Sequence, residues 1–158
     1  MTPQDKFWKM VEGDHVAMLT TISQGRLDSR PMAPFPDREE GVIHFITRLS
    51  ASAADDASGA MPVNVGWSDP GKNHYVSLSG TAQVSQDRAK LKSLWNSWAQ
   101  AYMPDGPDGP DTALLTVVPD EAVYWDGTSS KIVETVKTLT AAITGSPPNV
   151  GERKHVKL

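Results

Sequence analysis

The chain contains no cysteine, which removes disulfide frameworks, thiolate nucleophiles, iron–sulfur clusters and cysteine-based zinc sites in one step. It also lacks an excess of positive charge. Lys and Arg number 15 against 19 Asp and Glu, a formal net charge of -4. No overall basic field exists to hold a polyphosphate backbone by counterion release, so no nucleic-acid partner is expected. No stretch approaches the roughly 18 apolar residues of a membrane span, and the opening MTPQDKFWKMVEGDH has no apolar signal core. The reading is therefore a cytoplasmic protein with no membrane partner. Glycine-rich fingerprints of the Rossmann or P-loop kind are missing, as is a nucleophile elbow. The histidines at 15, 44, 74 and 155 show no paired ligand spacing, so no metal is expected. The aspartates of PDGPDGPD stand three apart rather than in the alternating pattern of a calcium loop.

What is present is an ordinary globular composition, 158 residues with 39% hydrophobic and 22% charged. A chain of that length buries about two thirds of its unfolded surface and needs no staple. One domain is expected over residues 1–145, with a polar, basic tail over 146–158. That tail is either mobile or ordered against a partner subunit.

Thr2, Pro3 and Asp5 combine a capping hydroxyl, a first-turn proline and an early carboxylate, which predicts a helix ending near Gly13. HVAMLTTI (15–22), LDSRPMAPF (27–35) and VIHFIT (42–47) read as three strands of a meander, joined by SQGR and PDREEG turns. A short helix is predicted from about Ser50, then strands at MPVNVGW (61–67) and HYVSLSGTAQVS (74–85) around the turn SDPGKN. Apolar residues at three- and four-residue steps predict one helix over 87–103, with Trp95 and Trp98 in the core. TALLTVV and EAVYWDG supply a sixth strand interrupted at Pro119, and KIVETVKTLTAAIT a final helix.

Arg30 is the first candidate site residue. An arginine between Ser29 and Pro31, with a second proline at Pro34, suits an irregular strand whose backbone stays free to meet a ligand, and its planar donors can bind two phosphate oxygens at once. Half of a surface ion pair is the alternative. Thr47, Ser50 and Ser52 form the second candidate, short hydroxyls at a strand end and helix start where an anion can bind, unless the serines are simply caps. Trp67 is open between a core position and one beside a ligand.

Taken in order, AMLTTI, SRPM, VIHFIT with its following serines, SLSGTA, the Pro-Gly loop and VYWDG resemble the pyridoxamine 5'-phosphate oxidase-like flavin-binding split barrels, in particular their general stress protein branch. The resemblance implies a mainly β fold with flanking helices, a six-stranded split β-barrel, and a homodimer with FMN between subunits. It implies phosphate contacts from Arg30, Thr47, Ser50 and Ser52. It places the backbone of Pro31, Met32 and Ala33 beside the flavin ring, and Trp125 toward the partner's flavin. Many relatives carry a basic residue where this chain has Ser52, one positive charge fewer. The arginine- and histidine-bearing end of the true vitamin B6 oxidases is replaced by TSSKIVETVK, so that oxidation is not implied. No side chain stands out as a catalytic acid or base. An FMN-dependent oxidoreductase, a flavin-binding or flavin-buffering protein without turnover, and a barrel holding a deazaflavin or haem all stay open. The apolar residues of MPVNVGW and YVSLSG are expected at the dimer interface.

Overall fold

The computed structural model describes residues 1–13, 16–51, 59–127 and 152–158. Its first helix, α1 (Pro3–Val11), begins with a full capping box. The Asp5 amide donates to the Thr2 hydroxyl at 3.0 Å, and the Thr2 amide donates back to the Asp5 carboxylate at 3.0 Å. Phe7 and Val11 are fully buried and Trp8 nearly so, laying the helix on the barrel core.

β1 (Ala17–Ser23) and β2 (Arg26–Met32) form a hairpin closed by Gln24 and Gly25, both at positive φ (50° and 74°). That two-residue turn matches the natural twist of the strands. Ala17, Leu19 and Thr21 point inward and are fully buried, while Met18 and Ile22 alternate to the outside.

The strand read as continuous from Leu27 to Phe35 is broken at Ala33 and Pro34. β2 ends at Met32, and a short β3 (Phe35–Asp37) begins on the far side and pairs with β4 (Val42–Arg48). Pro34 has no amide to donate to a ladder, so the chain changes neighbours there. The rest of the sheet is β5 (Met61–Asp69), β6 (His74–Ser85) and β7 (Thr112–Asp126), in the order β2-β1-β5-β6-β7-β4-β3. β2 and β3 thus stand at opposite ends of that order with only two residues between them. The sheet must curl until its ends meet, which makes a split barrel with its seam at Ala33–Pro34. The predicted meander is corrected accordingly, because β2 and β4 are not ladder neighbours.

Pro119 does not interrupt the sixth predicted strand. β7 runs through it by means of a bulge opposite Ser79 and Gly80. A Cβ at Gly80 would lie 2.4 Å from the Val118 carbonyl oxygen, so only glycine admits this approach.

The end of the predicted tail is a further strand, β8 (Glu152–Lys157), antiparallel to β7 of the same chain. Its Val156 is 2% exposed and joins the core. The break at the seam and this added strand raise the described count to eight rather than six. The predicted C-terminal helix and most of the helix from Ser50 lie outside the described residues.

The predicted helix over 87–103 is two helices, α2 (Arg88–Leu94) and α3 (Ser97–Tyr102). Asn96 between them has extended backbone and caps α3, its side-chain oxygen accepting from the Ala99 amide at 2.8 Å. Asparagine competes with helix continuation in just this way. The rotation leaves Trp98 59% exposed instead of in the core. Trp95 is half-buried and donates its indole N–H to Gln100 at 2.8 Å. Trp67, by contrast, is a core residue. The apolar side chains of β5 and β6 also face inward, Val63, Val65, Val76 and Leu78 among them. Tyr75 on β6 is an exception, and other exposed apolar residues lie before and along the β1–β2 hairpin, at Val16, Met18, Ile22 and Leu27.

Candidate functional site: an arginine-bearing cleft at the seam

A cleft of about 1120 Å³ lies at the seam, lined by β2 from Arg30 to Met32, the Ala33–Pro34 link, the end of β4 at Ile46–Arg48, and α3. The volume lies just above the usual range for small-molecule sites, about 300–1,000 Å³. Its described lining contains two arginines, Arg30 and Arg48, and no carboxylate, histidine or lysine. Trp98 and Tyr102 contribute an aromatic wall, with ring centroids 5.3 Å apart.

Arg30 is anchored rather than free. Its Nη2 donates to the Thr21 hydroxyl at 2.8 Å and to the Asp28 carboxylate at 2.9 Å. Its Nη1 is buried with no hydrogen-bond partner among the described residues. A buried guanidinium nitrogen left unpaired is costly unless an acceptor arrives. Pro31 and Pro34 have no N–H of their own, and Ala33 and Pro34 fall between the β1–β2 ladder, which ends at Met32, and the β3–β4 ladder, which begins at Phe35.

Of the residues singled out in the sequence, Arg30, Pro31, Met32, Ala33 and Thr47 all line the cleft. Thr47 comes in on β4 because the curled sheet brings that strand's end to the seam, and it is 7% exposed. Ser50 is not in the lining. Its amide and hydroxyl both donate to the Asp111 carboxylate, at 2.9 and 2.7 Å. Those two bonds, hydroxyl first, hold Asp111 below the usual carboxylate range, with the Arg48 charge adding to them. Ser52 lies outside the described residues. Trp125 lies away from the cleft on β7, opposite Tyr75 of β6 and Arg153 of β8, with the Arg153 guanidinium 5.6 Å from its ring centre.

Arg48 was not foreseen. It closes β4, lines the cleft, and donates to the Tyr102 carbonyl at 2.6 Å, tying the strand end to α3. The signal is in the sequence, since Arg48 follows Thr47 directly, but strand alternation alone points neighbouring residues to opposite faces, and Arg48 lines the cleft because it closes β4.

An arginine anchored beside a donor-poor seam defines a small-molecule cleft suited to an anionic ligand in a split barrel. The chain belongs to the pyridoxamine 5'-phosphate oxidase like family, whose model matches residues 2–149. A solved structure named as general stress protein 26 from Jannaschia sp. CCS1 is 30% identical, covering 98% of this chain and 97% of that one, with a TM-score of 0.79. A general stress FMN/FAD binding protein from Xanthomonas citri is 29% identical over 80% of this chain and 90% of its own, with a TM-score of 0.70. The protein bli-3 of Neurospora crassa is 24% identical over 151 residues, 89% of this chain and 72% of that protein.

Proposed function

We propose that the chain is a cytoplasmic FMN-binding general stress protein and flavin-dependent oxidoreductase, acting as a homodimer. The observation that carries this reading is the buried, unpaired Nη1 of Arg30 at the cleft. A phosphate dianion is the acceptor that best offsets a desolvated guanidinium. The donor set fits FMN: Arg30 and Thr47 would hold the phosphate, Arg48 would add a second charge, and Pro31, Met32 and Ala33 would flank the ring. Ser50 would join the phosphate side only if Asp111 released it, and Ser52 is assigned to that side by the family resemblance. When bound, the flavin supplies hydride and electron transfer. The chain's own part is to hold the phosphate, orient the ring against the seam and exclude water with the Trp98–Tyr102 wall.

The homodimer rests on the exposed Met18, Ile22 and Leu27 of the β1–β2 hairpin, apolar positions that run from opposite Pro31 near the seam to the turn end of the hairpin. Trp125 would meet the partner's flavin in that assembly. The cleft's described lining carries no carboxylate, histidine or lysine, which favours a second reading as well, flavin binding or buffering without turnover.

The deciding experiment is spectroscopic. Purified protein, or protein given FMN, should show the flavin absorption bands with one FMN per chain, and a nicotinamide donor should bleach them. Stoichiometric flavin that no nicotinamide donor reduces supports the buffering role. A colourless protein that FMN does not stabilise, or one showing a haem Soret band, overturns the proposal.

A further inference from the structure

A second cluster of polar side chains lies outside the cleft lining, on the β3–β4 hairpin. Asp37 ends β3, Glu40 sits in the turn and His44 follows on β4; one ligand atom from each falls within 4.8 Å of the others. We propose that these three residues form a binding site for a divalent transition-metal ion of the zinc type. The proposal does not depend on the flavin reading.

His44 carries the argument. It is 3% exposed, and its Nδ1 is 2.9 Å from the Thr116 hydroxyl on β7. The second nitrogen, Nε2, is buried without a hydrogen-bond partner and faces the Glu40 carboxylate at 3.6 Å. The Thr116 hydroxyl can accept from or donate to Nδ1. In the tautomer with Nδ1–H donating to Thr116, Nε2 turns a lone pair toward the Glu40 carboxylate, and a cation between the two acceptors stabilises that tautomer over the one that points Nε2–H at Glu40. A ligating histidine whose other nitrogen donates to a fixed oxygen is the usual arrangement at protein metal sites.

The carboxylates are equally prepared. Asp37 spends Oδ1 on the Glu40 amide at 3.0 Å, which shapes the turn and leaves Oδ2 for a cation. The Lys90 ammonium of α2 now fills that role, 2.8 Å from Glu40 Oε1 and 3.5 Å from Asp37 Oδ2. One imidazole and two carboxylates suit zinc, cobalt or manganese better than magnesium, which prefers oxygen alone. Lys90 is thus a competitor built into the site, and a divalent ion binds by displacing it.

The test uses the full chain, stripped with a chelator and titrated calorimetrically with Zn²⁺. One equivalent should bind. Affinity should fall at least about tenfold in Glu40→Gln and in His44→Gln, and rise in Lys90→Met. Co²⁺ in place of Zn²⁺ should give visible d–d bands that Glu40→Gln abolishes. His44 is buried and its variant can misfold, whereas Glu40 has a side chain 52% exposed and gives a clean comparison. Saturable Zn²⁺ binding that is unchanged in Glu40→Gln would place the metal elsewhere, for instance at His74 or His155, and overturn the proposal. Failure to bind Zn²⁺ at millimolar concentration would overturn it too, leaving Lys90 as the cluster's own cation.

Discussion

The Arg30 guanidinium on β2 reaches across the hairpin to the fully buried Thr21 hydroxyl on β1, 2.8 Å away. The same nitrogen also holds Asp28. Two partners on Nη2 fix the plane of the guanidinium and leave Nη1 as the donor without an acceptor. The arginine in a strand that has given up backbone donors is therefore positioned before any ligand arrives, which lowers the entropy cost of binding one.

Arg30→Ala should accordingly weaken FMN binding. A charge-assisted hydrogen bond contributes about 1.5–3 kcal/mol, so the dissociation constant should rise roughly ten- to a hundredfold. Riboflavin, which has no phosphate, should bind the variant and the parent alike. Fluorescence titration with both ligands separates the cases. Equal losses for the two would mean that Arg30 supports the hairpin through Thr21 and Asp28 rather than reading a phosphate.

The capping box of α1 predicts a pH dependence. Asp5 is lowered from 3.8 to about 2, first by the hydrogen bond with the Thr2 hydroxyl, then by the Thr2 amide, with Arg38 assisting. A carboxylate depressed in the folded state contributes stability that is present above pH 3.8 and is lost as pH falls from 3.8 through about 2. Asp5→Asn should lower the melting temperature at neutral pH, and the gap to the parent should close over that acid window. A gap that stays constant down to pH 2 would show that the ionised carboxylate is not what matters.

Val156 predicts that the C-terminal strand belongs to the fold. Burying a valine side chain contributes about 1.5–3 kcal/mol, and this one is 2% exposed in the core cluster. Val156→Ala should lower the denaturant midpoint with an unchanged slope, and deleting residues 152–158 should lower it further. A truncated chain as stable as the parent would mean that β8 does not pair with β7 in solution.

The legible parts of the fold were those specified locally. The Gln24–Gly25 turn, the Thr2–Pro3–Asp5 helix start and the SDPGKN turn act through neighbours in sequence, and strands at β1, β4, β5 and β6 followed from β-branched runs set between turns. Features decided at a distance were harder. The seam at Ala33–Pro34 depends on which strand each side pairs with, although Pro34 marks the place. Asn96 interrupts a helical period that Trp95 and Trp98 otherwise continue, because a cap can win over periodicity. β8 is short and basic, and only the waiting edge of β7 makes it a strand. In the cleft, Arg30 and Thr47 were readable as residue types, a guanidinium beside prolines and a hydroxyl at a strand end, both suited to an anion. Arg48 and the Asp37–Glu40–His44 cluster were not: Arg48 reaches Tyr102 on α3, and although the cluster's three residues share one hairpin, His44 is fixed by Thr116 and the carboxylates by Lys90, both far away in sequence.

Arg48 provides the sharpest check on the cleft's electrostatics. The resemblance expects a basic residue at the position of Ser52, and Arg48 is the second guanidinium in the described lining. It is exposed and also holds the Tyr102 carbonyl at 2.6 Å. A charge in contact with solvent acts on a phosphate through a screened field, worth about 0.2–1 kcal/mol, so Arg48→Ala should weaken FMN binding only a few-fold. The loss should shrink further in 1 M salt, where the screening length is about 3 Å. The Arg30 effect should survive that salt, because its donor is buried. Arg48→Lys keeps the charge and should restore most of the FMN affinity. If Arg48→Ala instead reduces FMN and riboflavin binding together, and salt makes no difference, its bond to Tyr102 is holding α3 against the strand end and the second phosphate charge must come from elsewhere.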